Sequence, residues 1–188
     1  MAGKIIIVSA PSGAGKTSII KEVISGEMPI EFSVSACTRA KREGELDGKD
    51  YWFLTVDDFK KRIEQGEFLE WEEVYIDNFY GTLKSELNRI WDKGNNVLIE
   101  ADVYGGINIK NDYPEISLSI FIMPPSVETL RKRLEKRSTD NAKSIDTRVS
   151  KALEEISLAQ KFDVIIVNDN LEEAIRETKK KIQEFLEK

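Results

Sequence analysis

The chain has 188 residues, of which 40% are hydrophobic and 33% are charged, and this composition suits a single folded globular domain. Its formal net charge of −6 argues against nonspecific nucleic-acid binding, so an anionic ligand has to be held by local basic clusters. The absence of histidine excludes imidazole-based catalysis, and together with a single cysteine it argues against a zinc site.

The same composition predicts a cytoplasmic protein. Cys37 has no partner for an internal disulfide, which fits a reducing compartment. The N-terminus lacks the pattern of a signal peptide, and no apolar run approaches the roughly 20 residues that a membrane span needs. We therefore expect neither a membrane nor a nucleic-acid partner.

The first junction in the chain predicts a phosphate-binding loop. An apolar strand at 5–8 runs into APSGAGKTS, and helical spacing begins at Lys16. Glycines let successive backbone N–H groups face an anion, while Lys16 reaches the β- and γ-phosphates and the Thr17 hydroxyl ligates Mg²⁺. The alternative is a glycine-rich turn with a solvated lysine. The predicted ATP-binding residues in this loop are Ala10, Pro11, Ser12, Gly13, Ala14, Gly15, Lys16, Thr17 and Ser18.

The middle of the chain alternates between polar and apolar residues, which is typical of strands with one solvated face. Strands are predicted at 32–37, 51–54, 68–74 and 79–82, with a short helix at 56–65. We interpret this part as an inserted antiparallel lobe.

Fully apolar strands are predicted in the remainder of the chain. They lie at 4–9, 96–102, 118–123 and 163–167, between helices at 83–93, 127–137, 145–160 and from 171 onward, with a polar break at 138–143. Buried strands that alternate with helices indicate an α/β fold with a parallel sheet covered on both faces. The chain therefore reads as a parallel core with two inserts, at about 33–82 and 126–148.

Seven segments in this order and spacing resemble guanylate kinase over essentially the whole chain. They are APSGAGKT, FSVSACTRAKREGELDGKDYWF, FLEW, YGT, the strand ending in EAD, RKRLEKR and VNDN. The resemblance implies a P-loop three-layer α/β core (1–32, 83–125 and 149–188), a GMP-binding lobe (33–82) and a helical lid (126–148). It also implies transfer of phosphate from ATP to GMP, and to dGMP, with Mg²⁺, by a monomer or homodimer.

The resemblance assigns the acceptor site to residues of the lobe. Glu70 would accept hydrogen bonds from guanine N1–H and N2–H₂, while the Ser35 and Thr82 hydroxyls would face O6. Adenine would leave that carboxylate unpaired. The GMP phosphate would be bound by four further residues, Arg39, Arg42, Tyr51 and Tyr80. From the residues alone, Glu70 could equally be a solvated strand carboxylate, and the two tyrosines could be interior aromatics.

The remaining implied residues surround ATP and the transferred phosphoryl group. Asp102 would join Thr17 at Mg²⁺, Glu100 would contact the GMP side, and Asn168 would lie near adenine. Charge on the phosphoryl group would be stabilised by Lys16, Arg39, Arg133, Arg137 and Arg148. The alternative for the helix that carries Arg133 and Arg137 is a solvated basic face, and for Asn168 a strand-end turn former.

Two other functions remain open at this level. A guanylate-kinase-like binding module without turnover would not need the intact Lys16-Thr17 pair. A P-loop kinase that phosphorylates a ribose phosphate would give Ser35, Glu70 and Thr82 no base to recognise.

Overall fold

A computed structural model describes residues 3–137 and 142–188 of the chain. The strands are β1 (Ile5–Ser9), β2 (Ile30–Phe32), β3 (Ala36–Cys37), β4 (Trp52–Phe53), β5 (Phe68–Tyr75), β6 (Asn78–Leu83), β7 (Asn96–Glu100), β8 (Ser117–Met123) and β9 (Val164–Val167). The helices are α1 (Lys16–Ile24), α2 (Val56–Glu64), α3 (Lys84–Trp91), α4 (Val103–Asp112), α5 (Val127–Arg137), α6 (Ala142–Ser157) and α7 (Leu171–Leu186), with a short 3₁₀ helix at Ala159–Lys161. Within these described ranges, no helix is long and apolar enough to cross a membrane.

The chain divides into two compact units. One, which we call the phosphate-loop unit, consists of Lys4–Met28 and Glu100–Lys188. The other consists of Pro29–Ile99 with Gly3, and we call it the 29–99 unit.

Parallel strands form the centre of the phosphate-loop unit. β8 pairs with β1 on one side, from Ile5 opposite Ser117, and with β9 on the other, from Ile120 opposite Val164. The side chains of β1 from Ile5 to Val8 are almost fully buried, because helices cover a parallel sheet on its faces. The prediction of an α/β fold with buried parallel strands is confirmed.

The 29–99 unit contains a parallel pair, β2 with β7, and a four-stranded sheet in the order β4-β3-β6-β5. β6 is antiparallel to both β3 and β5, but β3 and β4 run parallel. The sheet is therefore mixed, and not wholly antiparallel as predicted, since the long connection at 38–51 returns the chain to the same end. Stacked phenylalanines fill its core, with the rings of Phe59 and Phe68 only 4.2 Å apart.

One predicted element was wrong and one helix was not predicted. The strand predicted at 32–37 is split into β2 and β3, because Ser33 N–H bonds to Leu98 of β7 whereas Val34 N–H bonds to the side chain of Glu86. Helix α4 was missed, since two consecutive glycines at 105–106 weaken a helical pattern. The helix is nevertheless capped at its start by Asp102.

Helix α5 packs against α6 through a small apolar stripe. Leu130 and Leu134 are almost fully buried, in a cluster with Ile145, Val149 and Ala152. Ser126 caps α5 by accepting a hydrogen bond from Thr129 N–H at 3.1 Å. Most of the predicted polar break at 138–143, including Ser138, lies outside the described residues. Helix α6 begins at Ala142.

Candidate functional site

The loop between β1 and α1 has the backbone conformation of an anion-binding site. Gly13 and Gly15 adopt left-handed conformations, with φ of 89° and 98°, and Gly15 is the N-cap of α1. No side chain caps α1 and no acidic residue lies in its first turn, so the helix itself supplies no anion to the N–H groups of this terminus. Among the described residues, Asp77 is the sole non-glycine with positive φ, so Ala10 fits without strain where the general motif has glycine.

Two side chains hold one carbonyl of this loop. Asn168, which is 3% exposed, donates from Nδ2 to the Ala14 carbonyl at 2.7 Å. Arg133 donates from Nη1 to the same oxygen at 3.4 Å and from Nη2 to the Asn168 carbonyl at 3.0 Å. Because this carbonyl is bound on one side of its peptide, the N–H of Gly15 points to the other side. Asn168 and Arg133, predicted to contact adenine and the phosphoryl group, thus both contact the phosphate loop.

Lys16 lies at the start of α1 with its ammonium group already partnered. Its Nζ is 3.3 Å from Oε1 of Glu100 and 3.4 Å from the Ala101 carbonyl, both at the end of β7. Glu100 was predicted to contact the acceptor, whereas here its carboxylate is the counter-ion of Lys16.

Asp102 follows directly and serves as the N-cap of α4. Its Oδ1 accepts hydrogen bonds from Tyr104 N–H at 2.8 Å and Gly105 N–H at 3.0 Å, and its carbonyl accepts one from Ser9 Oγ. The carboxylate is therefore held in a fixed orientation. Thr17, its predicted partner at Mg²⁺, is exposed in the first turn of α1.

These residues fit a magnesium ion that arrives with its nucleotide. The described part of the chain contains no group of three or more aspartate, glutamate, cysteine or histidine side chains that could hold a metal alone. Mg²⁺ in phosphoryl-transfer sites uses one or two protein oxygens together with substrate phosphates and water. Thr17 and Asp102 can supply such oxygens.

Further arginines and one tyrosine lie on the helices of the phosphate-loop unit. Arg148 is exposed on α6, and Arg137 is the last residue of α5. Tyr104 donates its hydroxyl to Oε1 of Glu154 on α6 at 2.7 Å, and this hydrogen bond raises the pKa of the phenol.

In the 29–99 unit, the predicted phosphate-binding residues Arg39, Tyr51 and Tyr80 lie together. The guanidinium of Arg39 lies 4.8 Å from the centre of the Tyr51 ring, and the Tyr51 and Tyr80 rings are 6.1 Å apart. Arg39 also donates two hydrogen bonds to Glu45, at 2.6 and 2.7 Å. The hydrogen bonds from Arg39 and from Arg42 N–H lower the pKa of Glu45 to about 2.

Sequence reasoning missed Glu45. Its position six residues after Arg39, in a loop with several other carboxylates, offers no periodicity that would single it out. A fork of two hydrogen bonds to a carboxylate is also the geometry with which arginine binds phosphate oxygens. The Glu45 carboxylate therefore occupies the two donors of Arg39 that two oxygens of a phosphate group could also accept.

The residues predicted to recognise the guanine base lie on two neighbouring strands and on the segment before β3. Glu70 of β5 is paired across the sheet with Thr82 of β6, and the Thr82 hydroxyl donates to Oε1 of Glu70 at 2.7 Å. The Ser35 carbonyl accepts a hydrogen bond from Trp52 N–H at 2.9 Å. The Thr82 hydroxyl, predicted to face guanine O6, thus donates its one proton to Glu70 in this structure, and Glu70 is oriented by a buried hydroxyl.

Cys37 is a packing residue. It is fully buried on β3, and burial raises the pKa of its thiol, which opposes the reactive thiolate form.

Comparison with known proteins agrees with this arrangement. A protein-family model described as guanylate kinase matches residues 2–187. A guanylate kinase from Bacteroides thetaiotaomicron is 50% identical over 188 residues, covering 100% of this chain and 92% of its own length. One from Porphyromonas gingivalis is 47% identical, covering 98% and 99%. The crystal structure of guanylate kinase from Anaplasma phagocytophilum superposes with a TM-score of 0.78 at 33% identity, covering 100% of this chain and 88% of that one. The chain therefore belongs to the guanylate kinase family.

Proposed function

We propose that this chain transfers the γ-phosphoryl group of ATP to GMP, giving ADP and GDP. Relatives that align with this chain over nearly their whole lengths are named guanylate kinase, and this favours a catalytically active enzyme over a binding module. The observation that carries the choice of acceptor is the Glu70 carboxylate, held by Thr82 at 2.7 Å in the mixed sheet.

The acceptor side recognises a guanine base and a phosphate monoester. Glu70 has the acceptor oxygens that guanine N1–H and N2–H₂ require, and Ser35 supplies a hydroxyl for O6. Adenine presents a lone pair at N1, which would face that carboxylate and leave it unpaired. Arg39 and Arg42 bind the phosphate, with the hydroxyls of Tyr51 and Tyr80.

The donor side binds ATP through the phosphate loop. Backbone N–H groups between Gly13 and Ser18 hold the phosphates, and Lys16 leaves Glu100 to contact the β- and γ-phosphates. Thr17 and Asp102 would hold Mg²⁺, which would supply positive charge to the phosphates. Arg133, Arg137 and Arg148 contribute positive charge to the same step.

The reaction needs no general base from the protein. The phosphate of GMP has a second pKa of about 6, so its attacking oxygen is already ionised at neutral pH. The side chains therefore act by alignment and by charge neutralisation, which a chain without histidine can supply in full.

The finer parts of the proposal follow from the sequence. They are acceptance of dGMP, a cytoplasmic location, a monomeric or homodimeric state, a core with a GMP-binding lobe at 33–82 and a lid at 126–148, and a contact between Asn168 and adenine. The buried Oδ1 of Asn168 forms no hydrogen bond within the described structure.

An acceptor panel tests the proposal. ADP release from ATP and Mg²⁺ is measured with GMP, dGMP, AMP or ribose bisphosphate. We expect turnover with GMP and dGMP and less than about one hundredth of that rate with AMP, because the carboxylate would be left unpaired. Turnover with ribose bisphosphate alone would overturn the assignment of the acceptor, and GMP binding without turnover would indicate a binding module.

A further inference from the structure

A buried carboxylate lies where the chain passes from β2 to β3, that is, from one sheet of the 29–99 unit to the other. Glu86, in the first turn of α3, is 2% exposed. Its Oε2 accepts a hydrogen bond from Val34 N–H at 2.9 Å, and its Oε1 accepts one from the indole N–H of Trp52 at 3.2 Å. Because residues 33–35 have no regular secondary structure, the carboxylate takes the place of a strand partner for Val34.

A chain of alternating charges fixes this carboxylate. Arg89, one turn later on α3, donates to both oxygens of Glu86 at 2.8 Å and also pairs with Glu31, which in turn binds Lys93 at 2.8 Å. Burial alone would raise the pKa of Glu86, but the hydrogen bonds from Arg89 and Val34 N–H outweigh it and hold this pKa below its ordinary value. Glu86 is therefore ionised and fixed in orientation at neutral pH.

The backbone on both sides of Ser35 is linked to the Glu86 carboxylate by hydrogen bonds. On the N-terminal side, Val34 N–H bonds to Glu86 directly. On the C-terminal side, the Ser35 carbonyl accepts from Trp52 N–H at 2.9 Å, and the indole of the same tryptophan bonds to Glu86. The position of Ser35 thus depends on Glu86, although no hydrogen bond joins their side chains.

We propose that Glu86, oriented by Arg89, is the positioning residue that sets Ser35 for recognition of the guanine base. The inference rests on the proposed function, in which the Ser35 hydroxyl faces guanine O6. A displaced hydroxyl loses its hydrogen bond to the base, because that bond weakens steeply with distance and angle. Glu86 acts through Ser35 and through the backbone on both sides of it.

A double-mutant cycle tests this role. KM is measured for GMP at saturating ATP, and for ATP at saturating GMP, in the parent chain, Glu86→Gln, Ser35→Ala and the double variant. We expect each single substitution to raise the KM for GMP by about fivefold to tenfold, the value of one hydrogen bond, while the KM for ATP stays within about twofold. Because both act on the same contact, the double variant is expected within about twofold of the worse single variant.

A matched control separates positioning from stability. Asp163, in the phosphate-loop unit, is another carboxylate held by hydrogen bonds, which Ser119 donates from its N–H and its hydroxyl at 2.8 Å each. Asp163→Asn is expected to lower the melting temperature and to leave the KM for GMP unchanged. If Glu86→Gln does not fold, Arg89→Lys replaces it in the cycle, because it keeps the charge but loses the fork, and the same selective rise is expected.

Two results would overturn the inference. One is multiplication of the single effects in the double variant, which would mean that Glu86 and Ser35 act independently. The other is a lower melting temperature in the Glu86 or Arg89 variant with no change in the KM for GMP. A parent chain that releases no ADP with GMP would overturn the proposed function itself, whereas an active parent with multiplicative effects would overturn this inference alone.

Discussion

The two units of this chain supply different kinds of groups for binding anions. In the phosphate-loop unit most of the anion-binding groups are backbone N–H groups, exposed because Gly13 and Gly15 adopt left-handed conformations, and Lys16 adds one side-chain charge. In the 29–99 unit they are side chains, and the guanidinium of Arg39 is already paired with the Glu45 carboxylate of the same unit.

This difference determines which substitutions each unit tolerates. A backbone site is lost when a glycine gains a side chain or when the loop changes shape, whatever the charges nearby. A site made of paired side chains is lost when either partner changes, because the remaining charge is left without a counter-ion. The substitutions below test that contrast.

The largest effect is expected from Lys16→Ala. Its ammonium group is the one side-chain charge of the phosphate loop, so its loss is expected to lower kcat by about 10³-fold. Rapid-quench or coupled ADP assays measure the change. Lys21→Ala, an exposed lysine later on α1, is the control and is expected to leave kcat unchanged. A fall of less than tenfold in Lys16→Ala would place the phosphoryl-binding charge elsewhere.

Gly15→Ala tests the backbone site itself. A Cβ on Gly15 would lie 2.2 Å from Nδ2 of Asn168, at a φ of 98° that side chains rarely adopt. We expect kcat/KM for ATP to fall by about 10²-fold, because strain and collision both reshape the loop. The control is Gly94→Ala. Gly94 has a φ of 78° and open space around it, so the substitution is expected to reduce stability without lowering kcat/KM for ATP. Equal falls in kcat/KM for ATP in Gly15→Ala and Gly94→Ala would contradict this account of the loop.

Arg39→Lys tests the paired site. Lysine keeps the charge but loses the fork, so we expect the KM for GMP to rise by about tenfold or more while the KM for ATP is unchanged. Isothermal titration with GMP gives the same comparison without turnover. The control is Arg62→Lys, which alters an exposed ion pair with Glu67 and is expected to change neither constant.

The two units also differ in how much of their structure could be predicted from the sequence. The phosphate loop was predicted residue by residue because its groups are consecutive and its glycine spacing is specific. Glu45 and the Glu86 network were not predicted, because Glu31, Val34, Trp52, Glu86 and Arg89 meet only after two sheets have formed. The split between β2 and β3 was missed for the same reason, since the polar partner of Val34 lies 52 residues away.

The smallest effect is expected from pH. The pKa of Glu45 is about 2 in the folded chain and about 4.3 when unfolded, so its pairing stabilises the fold fully above the unfolded value. That contribution is lost as pH falls from about 4.3 toward 2. Urea midpoints at pH 5 and pH 2.5 should therefore differ more in the parent than in Glu45→Gln. Glu43→Gln, an exposed neighbour in the same loop, is expected to behave like the parent.

The most direct test of the account is whether the two substrates can be weakened separately. The KM for GMP and the KM for ATP are measured in the parent chain and in Glu70→Gln, which replaces one acceptor oxygen by an amide donor. We expect the KM for GMP to rise by at least about tenfold, from the loss of hydrogen bonds to a charged acceptor, with the KM for ATP nearly unchanged. An equal rise in both constants would contradict the assignment of the acceptor to the mixed sheet of the 29–99 unit.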